Sequence, residues 1–391
     1  MKILMVLTRE LCYKSGSFFL ARMEEALRLY GHEVVVVDIS GDNPDYDVLE
    51  TLIGKGFGAV IDINSKLPLL EVDSGELYLN ELGARFIQFI VDHPLFHHPS
   101  LMMPVKNGIA VGIDKRHVAY MKEHYRHYDR VLYSTMPGTK GLCDIDFNAR
   151  RKGLLFTGTY ESPQKQLDQI KSRPKELSDL MLAMIDLEKG RNVTHEEALA
   201  QLIDGYPEVD LSQFRGRCDK FTYLLNKCYL VDKYLRNLER ENILYEFAKA
   251  GIPINIVGEG WEKSRICGMK NVTLHPPVNF SASFDIIGAA EMLLDISPLF
   301  AEGIHDRVTT AFANRTLCLT DMNPRADDRL KDEESLLYFD RNNPAMAAEK
   351  VRKYLDNHDL GRDMAENAHR IYRENYSWEK MGEFLDRVLR A

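Results

Sequence analysis

No Cys-x-x-C pair occurs in the chain, although it holds six cysteines: Cys12, Cys143, Cys218, Cys228, Cys267 and Cys318. Scattered in this way they argue against a disulfide framework or a structural zinc site, and a reducing cytoplasm is the expected compartment. A basic surplus is also missing. Fifty Lys and Arg against 59 Asp and Glu leave a net charge of -9, so the basic stripe of a nucleic-acid binder is not expected. No run approaches the roughly 18 apolar residues that cross a bilayer. The apolar opening, residues 3–7, breaks at Thr8-Arg9-Glu10 and is too short for a signal-peptide core. The G-x-G-x-x-G fingerprint of dinucleotide binding is absent, which disfavours an NAD enzyme.

What is present is length and rhythm. A chain of 391 residues is about right for two domains of ~150 to 200 residues each. Residues 3–7, 34–37, 57–63, 84–91, 109–113 and 129–134 read as buried strands of a first Rossmann-like domain, placed at 1–150. Residues 152–159 open a second domain, 151–375, with a helical insertion at about 163–250. The run 221–250 carries apolar residues at helical spacing throughout. A break at Tyr376-Ser377-Trp378 sets off a last helix, 376–391, expected to pack back on the first domain.

The stretch 253–321 gives the second domain its grammar. The strand Ile254-Asn255-Ile256-Val257 stops at Gly258-Glu259-Gly260-Trp261, where glycines let a ligand approach the backbone. His275-Pro276-Pro277 reads as a turn, and residues 292–297 as a strand ending at Ser297. The polar loop Glu302-Gly303-Ile304-His305-Asp306-Arg307 leads through a helix, 308–314, into the strand 317–321. Strand, glycine loop, strand, polar loop, helix and strand make an open parallel α/β sheet, whose ligands sit beyond the strand carboxyl ends.

In the first domain, chemistry is expected at the end of the fourth strand, where Asp92-His93-Pro94 precedes His97 and His98. His93 and His97 have i, i+4 spacing, but Pro94 and Pro99 interrupt a helix there and no acidic third ligand stands out, so no metal site is expected. Asp92 or His93 is the expected general base. The plainer alternative is that His93 caps a turn.

These motifs in this order resemble the GT-B glycosyltransferases, and among them the CgeB-like (spore maturation protein) family of bacteria. The shared features are the strand-Gly-x-Gly-Trp at Gly258 to Trp261, the Gly-Ile-His-x-Arg loop at Gly303 to Arg307, the strand ending Thr320-Asp321, and the strand-Gly-Thr at Gly158-Thr159. The resemblance implies two Rossmann-like domains facing a cleft and transfer of a sugar from a nucleotide-diphosphate sugar, with a UDP-sugar favoured. The acceptor would be a protein, a glycan or a small molecule, without nucleic acid, membrane span or cofactor. In one respect the chain departs from the pattern. Related enzymes carry a ribose-binding Glu on the helix after the loop, whereas here the run is Arg307-Val308-Thr309-Thr310-Ala311. Either Thr310 makes a weaker hydrogen bond there or the ribose is held from elsewhere.

The chemistry assigns roles. Charge grows on the leaving diphosphate as the glycosidic bond breaks, and a guanidinium at a helix start stabilises it. Arg307 suits that role, with His305 donating to a phosphate or a sugar hydroxyl. Gly158, Thr159, Gly258, Gly260, Ser297 and Gly303 would line the nucleotide, and Trp261 would stack on the base or wall the pocket. Asp144 and Asp146 come nearest to an Asp-x-Asp pair but lie in no convincing loop, so metal-independent transfer is expected. The plainer alternatives are an ion pair of Arg307 with Glu302 or Asp306, a core role for Trp261, and His305 as a satisfied loop histidine. A nucleotide-sugar epimerase of the same fold and a non-catalytic sugar- or nucleotide-binding protein are the competing functions.

Overall fold

The computed structural model describes residues 1–391 except 192, 215, 217, 322, 324 and 325. The chain divides into two compact units. The first comprises Met1–Pro137, Asp210–Thr222 and Asn375–Ala391, and the second Gly138–Val209 and Tyr223–Glu374.

In the first unit the apolar runs form six parallel strands: β1 (Lys2–Leu7), β2 (Glu33–Asp38), β3 (Ala59–Ile63), β4 (Arg85–Ile90), β5 (Gly108–Gly112) and β6 (Arg130–Tyr133). Their order is β2-β1-β3-β4-β5-β6. Strands β3 and β5 are buried along their whole length, as a parallel sheet covered on both faces requires. The order reverses between β1 and β3, where Thr8 Oγ1 donates to Asp62 Oδ2 at 2.7 Å. Burial pushes the Asp62 carboxyl up to about 7, against the pull of its hydrogen bonds from Ser65, Thr8 and the Ile63 N–H.

The helix Trp378–Arg390 belongs to this unit. Ser377 caps it, accepting from the Lys380 N–H. The Trp378 ring packs against Phe18 and Phe19 of the helix Ser15–Leu29, and His32 Nε2 lies 2.9 Å from Asp386. Arg85 donates to the last carbonyls, Val388 and Leu389, at 3.1 and 3.2 Å, as a cation at a helix carboxyl end should.

The second unit holds β7 (Arg151–Thr157), β8 (Ile254–Val257), β9 (Val272–His275), β10 (Ala290–Asp295), β11 (Leu317–Thr320) and β12 (Leu337–Tyr338). They form a parallel sheet of order β12-β11-β10-β7-β8-β9 that reverses between β7 and β10. Phe156, Phe247, Trp261, Leu294 and Leu319 are among its core. Strand β9 departs from the sequence reading, which placed only a turn at His275. It is a four-residue edge strand with no fully buried position.

The insertion is helical: Pro163–Lys171, Lys175–Glu188, His195–Leu202, Lys220–Lys227 and Tyr229–Lys249. The run 221–250 is two helices that meet at Cys228. Within the first unit, Phe221 stacks on His124 at 5.2 Å and Asp219 lies 3.3 Å from His124 Nδ1, which accounts for residues 210–222 joining that unit. Residues after Pro137 are tied instead to the helix Asp306–Ala313. Thr139 N–H donates to Thr310 Oγ1, Gly141 N–H to Asn314 Oδ1, and Asn314 Nδ2 to the Thr139 carbonyl.

Candidate functional site

The carboxyl ends of β7 and β10 meet at the reversal of strand order in the second unit, the place where open α/β sheets bind ligands. Arg307 spans that point. Its Nη1 donates to the Thr157 carbonyl at the end of β7 at 2.6 Å, and its Nε lies 3.4 Å from the Asp295 carboxylate at the end of β10. The ion pair is therefore with Asp295 and not with Glu302 or Asp306. Asp295 is almost wholly buried and also accepts from Ser297 Oγ and Thr320 Oγ1. Ser297 adds a second tie, its N–H donating to Asp321 Oδ1 at 2.9 Å. The loop 298–305 is thus tied at its start through Ser297 to Asp295 and Asp321, and at its end through Arg307 to Asp295.

Arg307 lies in the first turn of the helix Asp306–Ala313, whose leading N–H groups and dipole favour an anion. His305 is the N-cap, its Nδ1 accepting from the Arg307 N–H at 3.2 Å. The Asp306 carboxylate lies 2.9 Å from the same nitrogen. The cap needs a lone pair there and the carboxylate an N–H, so the two contacts call for different proton placements on one ring. Burial opposes the charge on Asp306, yet His305 and Arg307 hold its carboxyl below the ordinary range. His305 thus combines the cap of a satisfied loop histidine with a position beside Arg307. Gly303 is buried in the same loop.

The glycines serve the strand ends themselves. Gly258 follows β8, and a Cβ there would collide with the Gly158 carbonyl; Gly260, at φ +89°, would collide with that of Tyr160. The turns after β7 and β8 are pressed together, and only glycine fits. Trp261 fastens them, donating Nε1–H to the Gly158 carbonyl at 2.7 Å with its ring against Phe156 and Tyr160. At 1% exposure this ring is core, and it presents no face on which a base could stack. Thr310 is likewise withdrawn: it is 3% exposed and its hydroxyl accepts from the Thr139 N–H, so it is poorly placed to replace a ribose-binding Glu. Thr159, by contrast, is exposed.

Sequence reasoning missed a set of charged residues that join this point from the insertion and from beyond β12. Arg240, on the helix Tyr229–Lys249, reaches the Thr159 carbonyl and lies over the Phe156 ring. Glu239 lies 3.7 Å from Arg341, which donates to the Pro298 carbonyl. Burial pushes Glu239 up to about 7, partly offset by Arg341. Burial also raises Asp321, whose Oδ2 has no hydrogen-bond partner among the described residues. In sequence, Arg236 to Glu241 looks like the solvated face of an amphipathic helix, and no local motif marks it.

In the first unit, Asp92 is half exposed and follows β4. Asn64, in the left-handed region at φ +48°, accepts from the Val91 N–H and donates to Asp92 Oδ2 at 2.8 Å, which fixes the carboxylate. His93 caps the next turn, its Nδ1 accepting from the Leu95 N–H, and it is 3% exposed. That is the plainer alternative, and it leaves Asp92 as the open candidate. His97 lies 3.7 Å from Asp92, whereas His98 contacts Tyr125 and Cys218. Among the described residues no group of three or more His, Cys, Asp or Glu is placed to hold a metal ion.

Residues 236–386 match a family model described as glycosyl transferase-like. The matched span holds Arg240, β8 to β12 and the Arg307 loop. No curated protein sequence matches the chain. Among solved structures, sucrose-phosphate synthase from Thermosynechococcus elongatus superposes with a TM-score of 0.58 at 9% identity, covering 100% of this chain and 98% of that one. An alpha-glucosyltransferase in complex with UDP-glucose and DNA containing an abasic site gives 0.54 at 10% identity, with 100% of both chains covered. The DNA-modifying enzyme beta-glucosyltransferase, determined with and without uridine diphosphoglucose, gives 0.52 at 12%, again over 100% of both. At such identities the likeness shows the fold, two parallel six-stranded α/β units of the GT-B kind. The fold and the family model together support a glycosyltransferase, with donor and acceptor unspecified.

Proposed function

We propose that the chain transfers a sugar from a nucleotide-diphosphate sugar, most readily a UDP-sugar, to a hydroxyl of an acceptor. The observation that carries this is the position of Arg307. Its guanidinium joins the ends of β7 and β10 at the reversal of strand order and stands in the first turn of a helix. There the leaving diphosphate meets a cation and oriented N–H groups as its charge grows. In this reading the guanidinium takes up the leaving-group charge, so the transfer is metal-independent, and His305 donates to a phosphate or a sugar hydroxyl.

Asp92 is the proposed base toward the acceptor if the reaction inverts, because it is an exposed carboxylate just beyond β4 that Asn64 holds in place. The likeness to CgeB-like enzymes, carried by Gly258 to Trp261 and Gly303 to Arg307, and a cytoplasmic location, favoured by the free cysteines, form part of the same proposal. Some structural neighbours act with DNA, but a net charge of -9 favours a protein, glycan or small-molecule acceptor here.

The test is release of nucleoside diphosphate from a panel of nucleotide sugars. The proposal expects slow hydrolysis of one donor without acceptor, lost in Arg307→Ala protein that still melts cooperatively. No release from any donor, or release that Arg307→Ala leaves intact, contradicts it.

A further inference from the structure

The groups that act most strongly on the Arg240 guanidinium are two cations, Arg236 and Arg307, and two carboxylates, Asp232 and Asp295. Both carboxylates are already engaged. Asp232 Oδ2 lies 3.0 Å from Arg236 Nη2, and Asp295 Oδ1 lies 3.4 Å from Arg307 Nε. One positive charge in this set is left over, and it is on Arg240. Its Nη1 reaches the Thr159 carbonyl only at 3.5 Å, its Nε is buried without a hydrogen-bond partner among the described residues, and its guanidinium lies over the Phe156 ring. Burial, followed by the like charges of Arg236 and Arg307, brings its pKa down to about 9. The guanidinium is only partly buried, but among the described residues it pairs with no carboxylate of its own and makes one long hydrogen bond, so its donors are available to an anion.

The geometry shows where such an anion would sit. Arg307 donates to the Thr157 carbonyl and Arg240 to the Thr159 carbonyl, so both grip one strand end, two residues apart. Gly158 lies between them, and a Cβ on it would already stand 3.8 Å from Arg240 Nη1. Thr159 is exposed, so this strand end is open to solvent. We infer that Arg240 and Arg307 together hold a diphosphate group over the strand end Thr157–Thr159, with Arg240 as the second cation of the donor site. The inference rests on the reading of the donor as a nucleotide diphosphate. Two forks suit a diphosphate better than a single phosphate, since each can take oxygens of one phosphorus. The last helix of the insertion thereby becomes part of the binding site.

The test compares wild type, Arg240→Met and Arg240→Lys as full-length chains, by thermal melting and by calorimetry with inorganic phosphate, pyrophosphate and UDP. Wild type is expected to bind pyrophosphate and UDP more tightly than phosphate. Arg240→Met is expected to weaken pyrophosphate at least about tenfold while its ligand-free melting temperature holds, because no carboxylate partner is lost. A purely structural arginine would do the reverse: its loss would lower the melting temperature and spare pyrophosphate. Should Arg240→Met fold poorly, Arg240→Lys keeps the charge without the fork and is expected to weaken pyrophosphate at unchanged melting temperature. Pyrophosphate binding undiminished in both variants overturns the inference. UDP binding no tighter than pyrophosphate, with both lost on Arg240→Met, sinks the nucleotide reading and leaves the anion site standing. Wild type binding none of the three overturns both.

Discussion

The Arg307 guanidinium already has three partners before any ligand arrives, the Thr157 carbonyl, the Asp295 carboxylate and the His305 ring, to whose Nδ1 its Nε donates at 3.2 Å. Those contacts fix its position and leave less entropy to lose when an anion binds. Gly260 shows the same logic in the backbone. It takes φ +89° and lies where any side chain would strike the Tyr160 carbonyl. Gly260→Ala is therefore expected to destabilise the protein by about 1 to 3 kcal/mol, read as a lower urea midpoint at unchanged slope. A midpoint equal to wild type would show that the two turns are not pressed together. At this scale the sequence was legible where a motif is local. Gly258 to Trp261 and Gly303 to Arg307 announced their loops, but the partners of those residues did not show. Gly258 and Gly260 read as room for a nucleotide, and each is also needed where another strand end presses close; of the readings of Trp261 as base stacker, pocket wall or core, the structure shows core.

The helical insertion is the element the sequence described least well. Its apolar spacing gave the helices, yet the break at Cys228 left no mark because Leu225, Cys228 and Val231 keep the apolar stripe going across it. Inside it lies an ion pair of unusual depth. His195, capped into its helix by Thr194, places Nδ1 2.5 Å from Glu188, and both side chains are almost fully buried. Burial pulls the imidazole pKa down, but Glu188 outweighs it and the value rises to about 9. A histidine raised in the folded state stabilises fully below its unfolded value near 6.5 and loses that contribution as pH climbs through about 9. Stability to urea is therefore expected to fall between pH 6.5 and 9 in wild type and to fall less in His195→Gln. Equal pH slopes in the two proteins would contradict the pairing. Arg240 and Glu239 went unread for a related reason. A charged helix face looks the same in sequence whether it meets water or the end of a sheet.

For the whole molecule, two parallel α/β sheets were legible from continuous apolar runs, since strands covered on both faces leave little choice of residue. Strand β9 escaped because an edge strand of four half-exposed residues lacks that signature. The reversal of strand order could not be read from the residues at all, because it depends on which strands pair across long connections. Yet it decides where chemistry belongs: β7 and β10 are far apart in the chain, and their adjacent ends bring Thr157, Asp295 and Arg307 to one point. The most direct measurement is calorimetric titration of UDP and UDP-sugars into wild type and Arg307→Ala, both checked for a cooperative melt. The account predicts specific binding by wild type and a loss of about 1 to 3 kcal/mol in the variant. Equal affinity in the two proteins would contradict it.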